Sequence, residues 1–555
     1  MSTQPKKNSS FLMQGAILAV AGIITRLIGI AYRIPVTNIL GEEGQGYYGS
    51  AFSIYNIALL LTSYSLPLAV SKLVSARIAK GERKNAFRIF KGALFFALIV
   101  GSLVASVVFL FADFIAEHVM SLRLSIYALK VLAPGLLIVA VMGVIRGFFQ
   151  GMGTMVPTAI SQILEQIVNA IISIIGASYL LKMGREAAMS QGNSSVAYAY
   201  GAAGGTLGTV SGAAFGLLFL ALLFRVYYPT FKRQMLRDHK RSVESYGQIY
   251  KVLMLTIAPV ILSSAIYNIN ETIDIGVFGN VMAAQGHTEQ DVAALLGRFS
   301  GHYNVMIHIP VAVANALGAS LIPSLTATIA NNGTKKQIHE KINMVIRSTM
   351  MIAIPSFVGF LVLAKPILSL LFSGDMTLSA SLLQLGAITT VFFCLSTVTN
   401  AILQGLNRMT TPVKHAAISL VVHLIGVFVM LIMFKCGIFA LVVGNIIFSL
   451  CMCILNARAL RRAVSYRQEI RRTFIIPGIA SGIMGLVAYG SYKLMFLVLP
   501  SGLSVLIALF MAVIVYGVCL LKLGAFHASE ILGFPKGNKI LMLLQRLHLM
   551  EKDIT

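Results

Sequence analysis

The sequence has few charged residues and very few acidic ones. Of its 555 residues, 11% are charged, with 19 Asp and Glu against 44 Lys and Arg. A soluble globular domain carries about 25% charged residues, and this chain has too little polar sequence to cover a soluble protein of its size. The deficit excludes a soluble multidomain enzyme, a disordered chain and a coiled coil. A hydrophobic content of 57% and a mean hydropathy of +0.84 indicate a polytopic membrane protein.

Cysteine, tryptophan and catalytic motifs are also scarce. The five cysteines lie inside apolar runs and form no C-x-x-C pair, so neither a disulfide framework nor a zinc site is indicated. Tryptophan is absent, and tyrosine must supply any aromatic belt at the membrane surface. The sequence contains no P-loop, no G-x-S-x-G and no H-E-x-x-H. We therefore expect a protein that is not an enzyme and that has no metal or cofactor, apart from Na⁺ or H⁺ as a coupling ion.

Fourteen apolar runs approach the ~20 residues that a helix needs to cross a bilayer. The first follows Lys6 and Lys7 as a signal peptide would. However, Arg26 and Arg33 interrupt it and no cleavage site follows, so we expect it to be retained. No loop is long enough to fold as a separate domain. The predicted spans are 11–40, 47–71, 88–112, 124–148, 155–181, 196–224, 252–281, 299–330, 344–373, 379–405, 413–434, 437–457, 473–498 and 502–523.

The distribution of basic residues predicts the orientation. With the N-terminus in the cytoplasm, 34 of the 44 Lys and Arg residues fall on the cytoplasmic side and eight on the outside. This asymmetry follows the positive-inside rule and places both termini in the cytoplasm. Contact with anionic lipid headgroups explains the net charge of +25 better than nucleic acid binding does.

Two similar turns indicate an internal repeat. Q-G-M-G-T-M-V-P at Gln150–Pro157 resembles Q-G-L-N-R-M-T-T-P at Gln404–Pro412, and each opens a span from the cytoplasmic side. The repeat pairs spans one to six with spans seven to twelve, in parallel, as in some secondary transporters. We predict an all-α membrane protein with two pseudo-symmetric six-helix lobes around a midplane cavity. The predicted divisions are 1–240, 241–472, two added helices in 473–525 and a cytoplasmic tail in 526–555.

The first span carries the most informative polar residues, Arg26 and Arg33. Arg26 lies about 22 Å along the helix from Phe11, past the middle of the hydrocarbon core. A buried arginine costs roughly 2.5–3.5 kcal/mol even on lenient insertion scales, so Arg26 should face a cavity. Arg33 shares nearly the same face and either joins Arg26 or reaches the outer headgroups.

Other spans carry polar residues at helical spacing. In the seventh, Asn270, Glu271 and Asp274 could bind a cation or proton, serve as counter-charge for the arginines, or form a structural ion pair. The fifth and eighth spans either line the cavity or join helices through hydrogen bonds, and a packed histidine is favoured over a metal ligand. The residues involved are Gln162, Glu165, Gln166 and Asn169 in the fifth span, and His302, Asn304 and His308 in the eighth. The sixth span is rich in glycine and predicts close helix packing.

The two arginines of the first span indicate which kind of ligand the cavity would bind. Its rigid fork of N–H donors suits phosphate oxygens, so an anionic headgroup fits the cavity better than a lipophilic cation does. A lipid tail could stay in the bilayer while this headgroup crosses. The sequence therefore favours transport of a phosphate-bearing headgroup that remains attached to a lipid tail. The alternatives are a cation-coupled multidrug exporter of the same fold and a non-transporting scaffold for wall or spore-coat synthesis.

Several segments resemble the polysaccharide-transport and MurJ-type lipid II flippases of the multidrug/oligosaccharidyl-lipid/polysaccharide exporter superfamily, especially the stage V sporulation protein B branch. They are T-R-L-I-G-I-A-Y-R-I-P, L-G-E-E-G-Q-G-Y-Y, S-L-P-L-A-V-S-K-L-V-S and R-G-F-F-Q-G-M-G-T-M-V-P-T-A-I-S-Q-I-L-E-Q-I-V-N.

This resemblance implies a V-shaped bundle in the bacterial cytoplasmic membrane. It would flip undecaprenyl-pyrophosphate-linked sugars such as lipid II by alternating access, assisted by membrane potential or sodium. Arg26 and Arg33 would contact the pyrophosphate, and the last two helices would hold the lipid tail. An arginine of such proteins near the start of helix eight is replaced here by Asn304 or Val305. The implied partners are the lipid-linked saccharide, the phospholipid membrane and cell-wall synthesis proteins, with a monomer expected.

Overall fold

A computed structural model describes residues 6–63, 66–238, 243–330 and 333–525 of the chain. These residues form α-helices joined by short turns, and no strand occurs among them. Short π-helical or 3₁₀ turns lie at Ile115–Val119, Arg123–Ser125, Arg298–Tyr303 and Arg471–Ile475. The α-helices are α1 Lys6–Thr62, α2 Leu66–Ala79, α3 Arg83–Leu110, α4 Ala112–Phe114, α5 Ile126–Gly151, α6 Val156–Gln191, α7 Ser195–Leu236, α8 Tyr246–Ala284, α9 Glu289–Gly297, α10 Asn304–Ala330, α11 Lys335–Leu371, α12 Thr377–Gly405, α13 Thr410–Ile432, α14 Phe439–Val464, α15 Ile476–Phe496 and α16 Ser501–Lys522.

The helices confirm the all-α polytopic membrane fold. Twelve helical stretches within the described part of the chain are long and apolar enough to cross a membrane. Eleven of them each match one predicted span, and the first, Val20–Ala79, takes in two. The remaining predicted span, 252–281, falls on the 39-residue helix α8, which is described only in part. The predicted cytoplasmic tail, 526–555, lies outside the described residues.

A glycine separates the first two spans where the sequence predicted their boundary. Gly41 interrupts α1 with φ 64° and ψ −174°, a conformation that glycine adopts at little cost. The segment that follows packs closely on the end of α9. A side chain at Gly46 would meet the backbone of Ala293, and one at Gly297 would meet the carbonyl of Glu42. The glycines of this motif therefore allow two helices to approach at backbone distance.

The two repeated turns have the same backbone conformation. Gly153 lies between α5 and α6 with φ 87°, and Asn407 lies at the matching position between α12 and α13 with φ 60°. In both turns, this residue donates its N–H to the carbonyl three residues earlier, and the next residue donates to the carbonyl five earlier. Glycine and asparagine are the residues that most readily adopt the left-handed conformation. The structural match supports the repeat that the sequence predicted.

The chain divides into two compact units, Met1–Gly301 and His302–Thr555. The sequence predicted a lobe boundary at residue 240. The difference arises because α8 packs on α1, α2 and α3. Ile249, Leu253 and Ile257 of α8 are buried in the core that α2, α3, α5 and α7 form. The pseudo-symmetric six-helix lobes stay a prediction.

Ionic contacts hold the beginning of α8 on the first unit. Arg77 of α2 donates to Glu244 across 2.6 Å, and the backbone N–H of Glu244 donates to Asn85 of α3. The backbone N–H and the ammonium group of Lys84 reach Asp238. Short bonds thus fix both ends of the α7–α8 connection on α2 and α3.

The second unit has its own apolar core. Buried residues of α10, α11, α12 and α14 form its main cluster. A smaller cluster joins Leu363 of α11 to Met484 and Ala488 of α15 and to Ala508 and Ala512 of α16. The two added helices therefore pack on α11, and their role in holding a lipid tail stays a prediction.

Candidate functional site

The polar side chains of α6 lie opposite its lipid-facing surface. Exposed apolar residues recur every four or seven positions along one face. They are Ile160, Ile167, Ile171 and Ile175. At about 100° per residue, the polar residues fall on the other side of the helix. They are Gln162, Glu165, Gln166 and Asn169. An exposed apolar face on a spanning helix meets lipid, so the polar face is directed to the protein interior.

Two contacts set the register between α6 and α1. The Asn169 amide donates to the Tyr32 hydroxyl across 3.2 Å, over a separation of 137 residues. Gly29 lies opposite Gln166 at the same separation, and a Cβ there would be 3.3 Å from the Gln166 Nε2. Asn169 is itself held by Ser173, which donates to its carbonyl oxygen across 3.0 Å. The two helices therefore run parallel with a fixed axial alignment.

This register places Arg26 beside the polar face of α6. The same separation of 137 residues puts Arg26 at the level of residue 163, within one helical turn of Gln162 and Glu165. The Arg26 side chain is exposed. It projects from α1 about 100° around the helix axis from the side chain of Leu27. This direction lies between the exposed apolar face of α1 and the face of α1 that contacts α6. The expected grouping of Arg26 with the fifth-span polar residues is thus compatible with the packing.

Arg33 lies in a second polar group, about two helical turns further along α1 than Arg26. Its guanidinium interacts electrostatically with the Tyr48 hydroxyl and with the Glu271 carboxylate of α8. Glu271 is exposed, and the adjacent Asp274 is only 2% exposed. The carbonyl oxygen of Asn270 is buried and accepts no hydrogen bond. Arg33 therefore interacts electrostatically with one of the predicted carboxylates, Glu271, and the counter-charge role stays a prediction.

Glu165 forms an ion pair that sequence reasoning missed. Arg146 of α5 donates from Nη2 to Glu165 Oε2 across 2.7 Å and from Nε to Ser161 Oγ across 3.0 Å. The Arg146 side chain is 12% exposed and that of Glu165 is 28% exposed. From sequence, Arg146 was counted only among the basic residues of the cytoplasmic side. The available signal was its position within an apolar helix, five residues before Gly151.

The predicted site residues of the eighth span belong to the second unit, which begins at His302. His302 is 3% exposed, and its Nδ1 lies 2.8 Å from the Ser379 hydroxyl. Its ring also packs on Phe372. This is the packed, hydrogen-bonded histidine that the sequence favoured. Asn304 is half-buried. Within the described residues, no group of three or more His, Cys, Asp or Glu side chains could hold a metal ion.

The glycines of the sixth span form the close-packed surface that the sequence predicted. A Cβ at Gly204 would lie 2.1 Å from the carbonyl oxygen of Gly176 on α6. A Cβ at Gly208 would meet Ser173, and one at Gly212 would meet Glu165. Backbone contact between α6 and α7 therefore holds the polar face of α6 in place.

Comparison with known proteins gives a consistent result. The profile of the family described as polysaccharide biosynthesis protein matches residues 11–329. The lipid II flippase MurJ of Bacillus subtilis (strain 168) is 28% identical over 431 residues, or 75% of this chain and 77% of that protein. Stage V sporulation protein B of the same organism is 29% identical over 318 residues, or 57% of this chain and 58% of that protein.

Solved structures show the same fold. A lipid II flippase MurJ in an inward closed conformation matches with a TM-score of 0.64 and 14% identity, over 91% of this chain and 98% of that chain. An inward-facing multidrug resistance MATE family transporter of the MOP superfamily matches with a TM-score of 0.63 and 17% identity, over 80% of this chain and 98% of that chain. At these identities, the likeness concerns the fold alone.

Proposed function

Because the chain belongs to the polysaccharide biosynthesis protein family, we propose that it flips an undecaprenyl-pyrophosphate-linked saccharide across the bacterial cytoplasmic membrane. The substrate is lipid II or a related lipid-linked oligosaccharide, and the cycle is alternating access. The protein acts as a transporter and not as an enzyme. Its similarity to a lipid II flippase and to stage V sporulation protein B supports this class of substrate.

The observation that carries the proposal is the position of Arg26. Its exposed guanidinium lies on a membrane-spanning helix at the level of the α6 amides. An arginine at this depth requires water, a counter-charge or an anionic ligand. A guanidinium binds phosphate oxygens through parallel charge-assisted hydrogen bonds, whereas amides suit the hydroxyl groups of a sugar. In this proposal, Arg26 and Arg33 bind the pyrophosphate, and Gln162, Glu165 and Asn169 face the headgroup. His302 and Asn304 are the further residues that we propose to bind substrate.

The acidic residues of α8 balance the arginines when no substrate is bound. Glu271 interacts with Arg33 and Asp274 lies one turn away, so an arriving pyrophosphate competes with these carboxylates. Together with Asn270, they form the proposed ion-coupling or counter-charge group. Coupling to Na⁺, to H⁺ or to the membrane potential would restore the starting state after release.

The proposal also covers the membrane topology of the protein, its oligomeric state and its partners. The N- and C-termini lie in the cytoplasm, in keeping with the concentration of basic residues on that side. The protein works as a monomer in phospholipid and meets cell-wall synthesis proteins at the membrane. Nucleic acid is not among its proposed partners.

A second candidate is a cation-coupled multidrug exporter. The similarity to a MATE transporter, with a TM-score of 0.63, favours this alternative. A lipophilic cation would be repelled by Arg26 and Arg33, whereas a pyrophosphate would be attracted. Neutralising Arg26 therefore separates the two functions: it should impair a flippase and leave drug export intact or improved.

Reconstitution in liposomes tests the proposal. The wild-type protein should move labelled lipid II, or an unrelated undecaprenyl-linked glycan, to the opposite leaflet. Arg26→Ala should reduce the rate to background, and Arg26→Lys should restore only part of it because lysine lacks the planar fork. Arg185→Ala is a matched control, since Arg185 is exposed on the outer part of α6. Full complementation of a flippase-depleted strain by Arg26→Ala would refute the role of Arg26.

A further inference from the structure

Arg146 and Glu165 form a charged pair at the level of Arg26, since the register of α1 on α6 puts Arg26 opposite residue 163 and Arg146 contacts Ser161 and Glu165. Arg146 lies five residues from the cytoplasmic end of α5, and Glu165 lies nine residues from the beginning of α6. At 1.5 Å per residue, the pair is about 8–14 Å inside the helix ends. It therefore lies between the cytoplasm and the level of Asn169 and Tyr32.

Within the described residues, both hydrogen-bond partners of Arg146 belong to α6. Two bonds from Arg146, to Ser161 and to Glu165, use two of the five N–H donors of its guanidinium. Ser161 in turn donates to the backbone carbonyl of Thr158, which anchors it to α6. Glu165 keeps 28% of its side chain exposed. The carboxylate is thus the more accessible partner, and the guanidinium is the more enclosed one.

The neighbouring amides are available for a ligand. Gln162 and Gln166 are half-buried on the same face of α6 as Glu165. Within the described part of the chain, neither side chain forms a hydrogen bond with protein. Half-buried amides without protein partners require water or a ligand. They extend the polar face from Arg146 toward Tyr32 and Asn169.

We propose that Arg146 is an additional anion-binding group for the pyrophosphate, at the same level as Arg26, and that Glu165 masks it between transport cycles. The proposal rests on the proposed function, because it concerns the same substrate. An arriving pyrophosphate displaces the Glu165 carboxylate, since two anions cannot share one guanidinium at contact distance without repulsion. When the headgroup leaves, the Glu165 carboxylate returns to Arg146 and masks it again.

Two conservative substitutions test the masking. Glu165→Gln removes the competing charge and keeps the size of the side chain, so it should bind labelled undecaprenyl pyrophosphate about tenfold more tightly and flip lipid II more slowly. Arg146→Gln should bind undecaprenyl pyrophosphate about tenfold more weakly. Arg146→Lys should recover binding of undecaprenyl monophosphate better than that of the pyrophosphate, because lysine offers a point charge. All variants are full-length proteins in lipid nanodiscs.

Controls separate this role from simple helix cross-linking. The exposed pair of Lys130 and Asp113, 3.4 Å apart, is the matched control, and Lys130→Gln and Asp113→Asn should change neither binding nor flipping. If Glu165→Gln and Arg146→Gln weaken binding equally and lower the melting temperature equally, the pair is only structural and the inference fails. If wild-type protein flips lipid II and neither variant alters binding, the inference also fails while the proposed function stands. If wild-type protein binds undecaprenyl pyrophosphate with the expected variant effects but flips nothing, the proposed function fails and the binding group remains.

Discussion

The Asn169 amide donates to the Tyr32 hydroxyl across 3.2 Å and joins α6 to α1. This bond aligns the polar face of α6 with the helix that carries both membrane-embedded arginines. Ser173, one turn further along α6, supports this bond because its hydroxyl lies within hydrogen-bond distance of both the Asn169 side-chain oxygen and the Gly205 carbonyl. The relative height of Arg26 and Glu165 therefore depends on a three-helix contact and not on either helix alone.

Removing this bond should loosen the site without unfolding the protein. Tyr32→Phe deletes only the hydroxyl, and we expect a loss of about 1 kcal/mol in the free energy of unfolding and a slower flipping rate. Asn169→Ala should cost more, since it also releases Ser173. In a double-mutant cycle measured by thermal unfolding in detergent, the two changes should couple by about 0.5–1.5 kcal/mol. Strict additivity would show that the bond does not stabilise the protein.

The contact between α6 and α7 should tolerate no side chain at Gly204. A Cβ there would lie 2.1 Å from the Gly176 carbonyl, so Gly204→Val should separate the helices and lower stability by about 1–3 kcal/mol or more. Gly482 is the control, because no atom lies within 4 Å of a Cβ at that position in α15. Gly482→Ala should be neutral or stabilising by about 0.5–1 kcal/mol. Similar melting temperatures for the two variants would contradict the observed packing.

The left-handed turn residues should obey backbone preferences. Asn407→Ala should destabilise by about 1 kcal/mol, because an alanine side chain clashes with its own backbone at φ 60°. Asn407→Gly should be neutral or mildly stabilising, as the matching turn already uses Gly153. Thermal unfolding of the two variants beside Arg408→Ala provides the comparison. Equal stability of Asn407→Ala and Asn407→Gly would argue against the left-handed conformation.

Neutralising Glu271 should alter both anion binding and coupling. Glu271→Gln removes the carboxylate that interacts with Arg33, so the resting protein should bind undecaprenyl pyrophosphate about tenfold more tightly. Release then becomes slow, and flipping should no longer respond to an imposed sodium gradient, proton gradient or membrane potential. Initial flipping rates in liposomes measure this response. Glu186→Gln, on the exposed outer part of α6, is the control, and identical behaviour of the two variants would remove Glu271 from the mechanism.

Hydropathy and turn chemistry predicted the elements of the fold well. The end of the first span at Leu40 coincides with the break at Gly41, and both repeated turns lie between helices as expected. Such features depend on residues that are close in sequence. By contrast, the pairing of Arg146 with Glu165 could not be predicted from sequence, because Glu165 is 19 residues away on the next helix. The association of α8 with the first unit was equally invisible, since its apolar residues fit many partners.

The amino-acid sequence by itself determined that the chain spans a membrane, which segments form the apolar helices, and that arginines lie within a span. Lipid leaves a helix no alternative to satisfying its own backbone hydrogen bonds, so length and apolar content suffice for these features. Only the tertiary structure decided which polar side chains interact. Arg146 pairs with Glu165, Arg33 interacts electrostatically with Glu271, and His302 is hydrogen-bonded to Ser379. These pairings depend on the rotation and axial shift of one packed helix against another, and contacts such as that of Gly204 with Gly176 set both.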